Sequence, residues 1–209
     1  MERKAEVTRK TSETDITLCL NLDGQGRGDI KTPIPFFTHM LTNMARHGLL
    51  DLSMRVAGDV DVDLHHTVED TGLVLGEALK KALGDKAGIT RCSDSTVPMM
   101  DSLSTVVIDI CGRPYFRFNA DDKAMSVTGA VIARGEDGTV AEAFDMGLAQ
   151  EFLTAFANAS GADLHVTLCY GRDIHHSIES IFKALGRAIK GAVTRDERIK
   201  GVPSTKGQL

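Results

Sequence analysis

No stretch of this 209-residue chain is both long and apolar enough to cross a bilayer, because the longest hydrophobic runs break within a few residues. The first ten residues, MERKAEVTRK, hold no apolar segment of the kind a secretory signal needs, so the cytoplasm is the expected compartment. A CxxC pair is also missing. Cys19, Cys92, Cys111 and Cys169 are widely spaced, which argues against a disulfide framework and a thiolate zinc site, and for reduced, packed thiols. Nor is there an excess of positive charge: 24 Lys and Arg against 29 Asp and Glu leave a net −5. That balance disfavours nucleic acid as a partner and confines any anion site to a local cluster of Arg and Lys. The 42% hydrophobic content is enough for one compact domain or two small fused halves.

Histidine is scarce, with seven in the chain, yet four of the seven fall in two adjacent pairs. The stretch DLHHTVED (residues 63–70) contains His65, His66 and Glu69, and DIHHSIES (173–180) repeats the arrangement as His175, His176 and Glu179. The surroundings repeat as well. Laid over EFLTAFANASGADLHVTL from Glu151, the segment HMLTNMARHGLLDLSMRV from His39 matches at Leu41, Thr42, Ala45, Asp51 and Leu52 without a gap. The His-His motif follows 26 residues after His39 and 24 after Glu151. This is an internal duplication within one domain, residues 1–209, with halves of approximately 1–90 and 91–209.

Each half reads as a strand pair, a helix, a strand and a second helix. DITLCLNLDGQGRGDI and STVVIDICGRPYFRFNA are β-rich runs broken by Asp-Gly or Cys-Gly turn signals. From Pro35 to His47, Phe36, Phe37, Met40, Leu41 and Met44 recur at helical spacing up to Gly48; Phe152, Leu153 and Phe156 do the same in the second half. LLDLSMRV and ADLHVTLCY are short strands, and the two His-His motifs open amphipathic helices. The expected class is α+β, an internally duplicated unit with helices on one face of each sheet. Residues 121–142 have no partner in the first half and read as an inserted hairpin.

Adjacent residues on a helix diverge by about 100°, so two neighbouring imidazoles serve two points rather than one. Glu69 and Glu179, three and four residues after their histidines, share the same helical side. Two such motifs predict two metal ions, each drawing imidazoles and carboxylates from more than one element. His39 lies on the polar side of its helix with Thr42, Asn43, Arg46 and His47 and is a further candidate ligand. Imidazole and carboxylate without thiolate suit a six-coordinate ion such as Mn2+ at least as well as Zn2+. His165 alternates with Leu164 and Val166 on a strand and is assigned a structural role. The glycines of DGQGRGDI are explained by a hairpin turn without any phosphate.

HHTVED, HHSIESIFKALGRA, PFFTHML, ARHG, GRPYF and the terminal PSTKG, in this order and spacing, resemble the imidazoleglycerol-phosphate dehydratase family of histidine biosynthesis across almost the whole chain. The resemblance implies a duplicated fold related to the second domain of ribosomal protein S5. It implies two Mn2+ ions per active site at subunit boundaries, a small-molecule phosphate substrate, and a homo-oligomer of about 24 subunits built from trimers. By position, His39, His65, His66, Glu69, His175, His176 and Glu179 match the family's metal ligands, and Glu13 its substrate-binding acid–base glutamate. Arg91, Arg113, Lys183, Ser204, Thr205 and Lys206 match the groups around the substrate phosphate, and His47 a substrate contact. Glu151, set opposite His39 by the duplication, is a candidate ligand where many relatives have histidine. The chain departs from the family pattern at Thr38, usually Asp, at PMMDSL, where Met100 and Asp101 replace an acidic pair, and in the length of residues 121–142.

The implied reaction removes a poorly acidic C–H proton from imidazole glycerol phosphate and expels hydroxide, with Glu13 as base, giving imidazole acetol phosphate. A dinuclear phosphate-ester hydrolase would use similar ions but favours Asp-rich ligand motifs, whereas histidine dominates here. A non-catalytic assembly joined by ions would need neither Glu13 nor a phosphate clamp.

Overall fold

The computed structural model describes residues 2–120, 130–134, 140–207 and 209. The first half contributes β1 (Lys4–Lys10), β2 (Thr14–Asn21), β3 (Gly28–Lys31), α1 (Pro35–Gly48), β4 (Asp51–Gly58) and α2 (His65–Leu83). The second contributes β5 (Cys92–Met99), β6 (Ser102–Asp109), β7 (Tyr115–Ala120), β8 (Val131–Arg134), β9 (Val140–Phe144), α3 (Met146–Ser160), β10 (Asp163–Tyr170) and α4 (Ile174–Val193). Two four-stranded sheets result, in the orders β1-β2-β4-β3 and β5-β6-β10-β7. In both, only the last strand runs parallel to its neighbour.

Period-two alternation sets the buried face of each sheet. Ile16, Leu18 and Leu20 of β2 and Leu164, Val166 and Leu168 of β10 point inward, while Thr17, Cys19 and His165 face out. Each such side chain contributes about 1.5–3 kcal/mol by leaving water. α2 lies over β1 and β2, and α4 over β5 and β6. The two layers then meet helix to helix, α1 on α4 and α2 on α3, so the helices form the middle of the molecule. Phe152 bridges the halves there, its ring 5.4 Å from Phe37 and 5.2 Å from Phe182.

The duplication is most visible at the helix crossings. On α2, a Cβ at Gly76 would lie 2.6 Å from the Phe156 carbonyl oxygen and 2.8 Å from Ser160 N. On α4, a Cβ at Gly186 would collide with the Met44 carbonyl oxygen and lie 3.0 Å from Gly48 N. Gly76 and Gly186 each stand 11 residues after the first histidine of their motif, and Met44 and Gly48 align with Phe156 and Ser160. The same close approach therefore occurs twice, in the same register.

The expected fold class holds, with corrections to its parts. The strand pairs are not hairpins: β4 lies between β2 and β3, and β10 between β6 and β7. The hairpin partners are β1 and β5, two edge strands that the apolar pattern does not reveal, since β1 buries only Val7. Gly48 does not terminate α1 from outside; it is the last helical residue, and Leu49 adopts the left-handed conformation at φ 53°. Gly48 is small because α4 crosses there. Of the inserted segment, β8 and β9 form an antiparallel pair, and residues 121–129 and 135–139 lie outside the described residues.

Candidate metal centre and active site

α1 begins with Pro35, whose fixed φ suits the first helical position, and buries Phe37, Met40, Leu41, Met44 and Ala45 against the core. That rotation leaves His39 outward, on the side where α1 meets α4. α4 starts behind Asp173, whose carboxylate accepts the His176 backbone N–H at 2.9 Å. Its first turn brings His175 and Glu179 up to His39. One ligand atom from each of His39, His175 and Glu179 lies within 4.8 Å of the other two.

Glu179 Oε2 is the hub, 3.1 Å from His175 Nε2 and 3.4 Å from His39 Nε2, while Oε1 receives Lys183 Nζ at 2.5 Å. Burial works to raise the Glu179 carboxyl, but Lys183 above all, then His175 and His39, outweigh it and hold the group below the usual carboxylate range. Phe36 packs edge-on against His175 with centroids 5.1 Å apart, and Asn43 Nδ2 lies 3.2 Å from His39 Nε2. Neither Phe36 nor Asn43 was distinguished by the sequence from other residues on the helix.

The first-half motif makes only part of the same arrangement. His65 Nε2 lies 3.4 Å from Glu69 Oε2, against 3.1 Å between His175 and Glu179. Among the described residues no third ligand atom joins them as His39 joins the other pair. Leu73 occupies the position of Lys183, and the Glu69 side chain is 45% exposed against 7% for Glu179. Glu151 is half-buried on α3, the helix that packs on α2, outside the converged group.

The second histidine of each pair is held from behind. His66 Nδ1 lies 3.1 Å from Asp59 Oδ2, and His176 Nδ1 lies 2.9 Å from Asp101 Oδ1. The Asp59 hydrogen bond raises His66 above its ordinary value; burial opposes this, and the nearby charge of Glu13 adds to it. Glu13 itself occupies the β1–β2 turn. Its backbone is pinned, with N–H donating to Thr11 Oγ1 at 3.1 Å and C=O accepting from Asp59 N at 3.1 Å. Its carboxylate has no hydrogen bond or ion pair among the described residues.

The cationic residues fall into two groups. Lys183 lies beside the first centre, with Nζ 3.4 Å from Met99 Sδ at the end of β5, and His47 is near enough to feel its charge. Burial first, then Lys183 and Arg187, push the His47 imidazole below its ordinary value. Arg91 lies before the other end of β5, eight residues and roughly 26 Å of strand away. It grips Asp109 at 2.6 and 2.8 Å and the Pro203 carbonyl at 2.9 Å, tying down the segment that carries Ser204, Thr205 and Lys206. Arg113 is exposed just before β7. One chain does not bring these groups to a single point.

Residues 32–189 match the family model described as imidazoleglycerol-phosphate dehydratase. The chain belongs to the imidazoleglycerol-phosphate dehydratase family. Among its relatives, imidazoleglycerol-phosphate dehydratase of Pelobacter propionicus is 50% identical over 209 residues, covering 100% of both chains. The Bacillus subtilis protein of that name is 50% identical over 207 residues, 99% of this chain and 100% of the relative. The crystal structure of IGPD from Pyrococcus furiosus in complex with (S)-C348 superposes with a TM-score of 0.75 at 33% identity, covering 97% of this chain and 100% of that one. Imidazoleglycerol-phosphate dehydratase from Staphylococcus aureus gives 0.73 at 33%, covering 92% and 99%. The dehydratase fold is thus shared over nearly the whole chain.

Against that family pattern, Thr38 does not act on His39. Its hydroxyl receives Thr32 N at 3.2 Å and lies 3.0 Å from the Thr32 hydroxyl, closing the turn before α1. His165 stays on the outer face of β10, 2.9 Å from Asp163, as its alternation predicted. Asp59, which holds His66 from behind, has no counterpart among the residues the sequence singles out. Its signal was the acidic run GDVDVDL immediately before the first His-His pair.

Proposed function

We propose that the chain catalyses dehydration of D-erythro-imidazole glycerol phosphate to imidazole acetol phosphate, a hydro-lyase step of histidine biosynthesis, with Mn2+ at two histidine–carboxylate centres. In this reading the enzyme works in the cytoplasm as a trimer-based homo-oligomer. The observation that carries it is the convergence of His39, His175 and Glu179. Ligand bonds of about 2.0–2.2 Å place neighbouring donors within roughly 4.4 Å of each other, so this group fits one ion with little adjustment. Nitrogen and carboxylate oxygen without sulfur suit Mn2+. His65, His66, Glu69, His176 and Glu151 are the candidate donors for completing the two sites. When bound, the ions supply Lewis acidity that draws charge from the substrate's imidazole ring.

The chain's own groups account for the remaining steps. Glu13, pinned by its backbone beside His66 and uncommitted at its carboxylate, takes the side-chain proton of the substrate. The hydroxyl group departs as hydroxide, which with the proton taken by Glu13 makes up the water lost, and the enol left behind tautomerises to the ketone. Lys183 and His47 flank the first centre, while Arg91 anchors the Pro203 carbonyl, and with it the segment of Ser204 and Lys206, at the far end of β5. Their separation supports a site assembled from more than one subunit, with a phosphate held by groups from both places.

The test is to load the protein with Mn2+, add imidazole glycerol phosphate and assay the ketone product. Ketone formation at enzymatic rates is expected. Release of inorganic phosphate without ketone would instead assign a phosphate-ester hydrolase.

A further inference from the structure

The two hairpins that precede the inner strands superpose with a constant offset. Lys10 pairs with Asp15 and Val7 with Leu18 in the first sheet; Pro98 pairs with Leu103 and Ser95 with Val106 in the second, each 88 residues later. The offset carries Glu13 onto Asp101 and Thr14 onto Ser102. Thr14 pairs with Gly58; Leu103, next to Ser102, pairs with Tyr170, next to Gly171, and a Cβ on Gly171 would lie 3.0 Å from Ser102 Oγ. Gly58 and Gly171 are themselves equivalent, since a Cβ on either would collide with the hydroxyl of Thr67 or of its counterpart Ser177. Glu13 and Asp101 are therefore the same position in the two halves: Asp101 bonds the second histidine of its own motif, whereas Glu13 adds only a nearby charge to His66.

Their surroundings differ in one respect. After Gly58 the chain takes seven residues to reach His65, and the first of them, Asp59, engages His66 Nδ1. After Gly171 it takes four to reach His175, and the first is Arg172. No acidic residue follows the second glycine directly; Asp173, two residues on, caps the helix and lies 3.8 Å from His176 Nδ1, beyond hydrogen-bond reach, while Asp101 engages that nitrogen at 2.9 Å. The hairpin aims it. Met99 pairs with Ser102 across a loop of only Met100 and Asp101, with Met100 in the left-handed region at φ 48°, and Ser102 Oγ donates to Asp101 Oδ1 at 3.3 Å.

We propose that Asp101 is a positioning residue for the ion held by His176: it fixes the imidazole through Nδ1 and presents Nε2 to the metal, as Asp59 does for His66. An ionised carboxylate only accepts, so the nitrogen it faces must carry the proton and the other keeps its lone pair. Because Asp59 fills this role in the first half, Glu13 alone of the two equivalent carboxylates is left for the substrate. The proposal rests on the Mn2+ reading given above.

The experiment is a titration of the metal-stripped full-length protein with Mn2+, followed by electron paramagnetic resonance of the free ion, for the parent, Asp101→Ala, Asp101→Asn and Glu13→Ala. Removing an outer partner of a ligating histidine typically weakens metal binding by about 10–100-fold. Asp101→Ala should show that loss in one class of site, Asp101→Asn, which retains an accepting oxygen, a smaller one, and Glu13→Ala less than about twofold. The metal-free melting temperatures of Asp101→Asn and the parent should agree, separating positioning from folding. Equal Mn2+ affinity in the parent and both Asp101 variants, or an equal loss in Glu13→Ala, overturns this proposal alone. A parent that binds no Mn2+ overturns the metal reading and this proposal with it.

Discussion

Gly48 and Gly186 face each other where α1 crosses α4: a Cβ on Gly48 would lie 2.9 Å from the Gly186 carbonyl oxygen. Only hydrogen fits between these backbones, and the crossing sets His39 beside His175. Gly186→Ala should destabilise the fold by about 1–3 kcal/mol or more through overpacking, read as a lower melting temperature. Gly28→Ala is the comparison, because its nearest neighbour is 3.6 Å away and its backbone requires no glycine; it should cost well under ~1 kcal/mol.

Glu13→Gln should lower turnover at least ~100-fold, the effect expected for loss of a general base. Metal content and assembly should match the parent, because the Glu13 carboxylate is uncommitted and its backbone contacts survive the change. Steady-state kinetics with a metal assay would decide, and near-normal turnover would remove Glu13 from the mechanism.

Much of this arrangement was legible in the letters. Helical spacing placed Phe37, Met40 and Met44 inward and His39 outward, and the repeated HHxxE pointed to clustered ligand atoms, of which the fold brings those of His175, Glu179 and His39 together. What stayed hidden depended on long-range contact. β1 and β5 were missed because edge strands bury too little to leave an alternating pattern. Asp59 and Asp101 were not assigned because carboxylates are common near turns, and only the fold brings them to within 3.1 Å and 2.9 Å of an imidazole. Gly48 was read as a helix stop because the helix that crosses it is over a hundred residues away.

Lys183→Ala should chiefly weaken binding of the phosphate substrate. A charge-assisted contact is worth roughly 1.5–3 kcal/mol, which corresponds to about a 10–150-fold higher Michaelis constant. Because Lys183 also bonds Glu179, Mn2+ affinity should be measured in parallel. An unchanged Michaelis constant would assign the phosphate to another cation.

The Arg91–Asp109 pair predicts an acid limb in stability. Burial works to raise Asp109, but the hydrogen bonds from Arg91 and Cys92 outweigh it and hold the carboxyl below its ordinary 3.8. With the folded value below the unfolded one, the stabilisation is complete above the unfolded value of about 3.9 and is lost as pH falls through the folded value. Asp109→Asn should therefore melt earlier than the parent at pH 7 and lose less on acidification. Parallel melting curves across that range would contradict the assignment.

If ions join groups from several subunits, chelation should convert the assembly into smaller species that keep their helical circular dichroism, since the binding energy linking the subunits leaves with the metal. Light scattering with and without chelator reads the mass. An unchanged mass would show that the subunits hold together without metal.

The grip of Arg91 on the Pro203 carbonyl also acts as a tether with a calculable radius. Three residues beyond it, at no more than about 3.3–3.6 Å each, let the Lys206 backbone range only ~10 Å from its anchor. A hydroxyl and an ammonium confined to so small a volume are present at high local concentration wherever that anchor is docked, so under the proposed function an arriving phosphate would meet them without a long search. Loosening the anchor at Arg91 would dilute Ser204 and Lys206 together while leaving both side chains chemically intact.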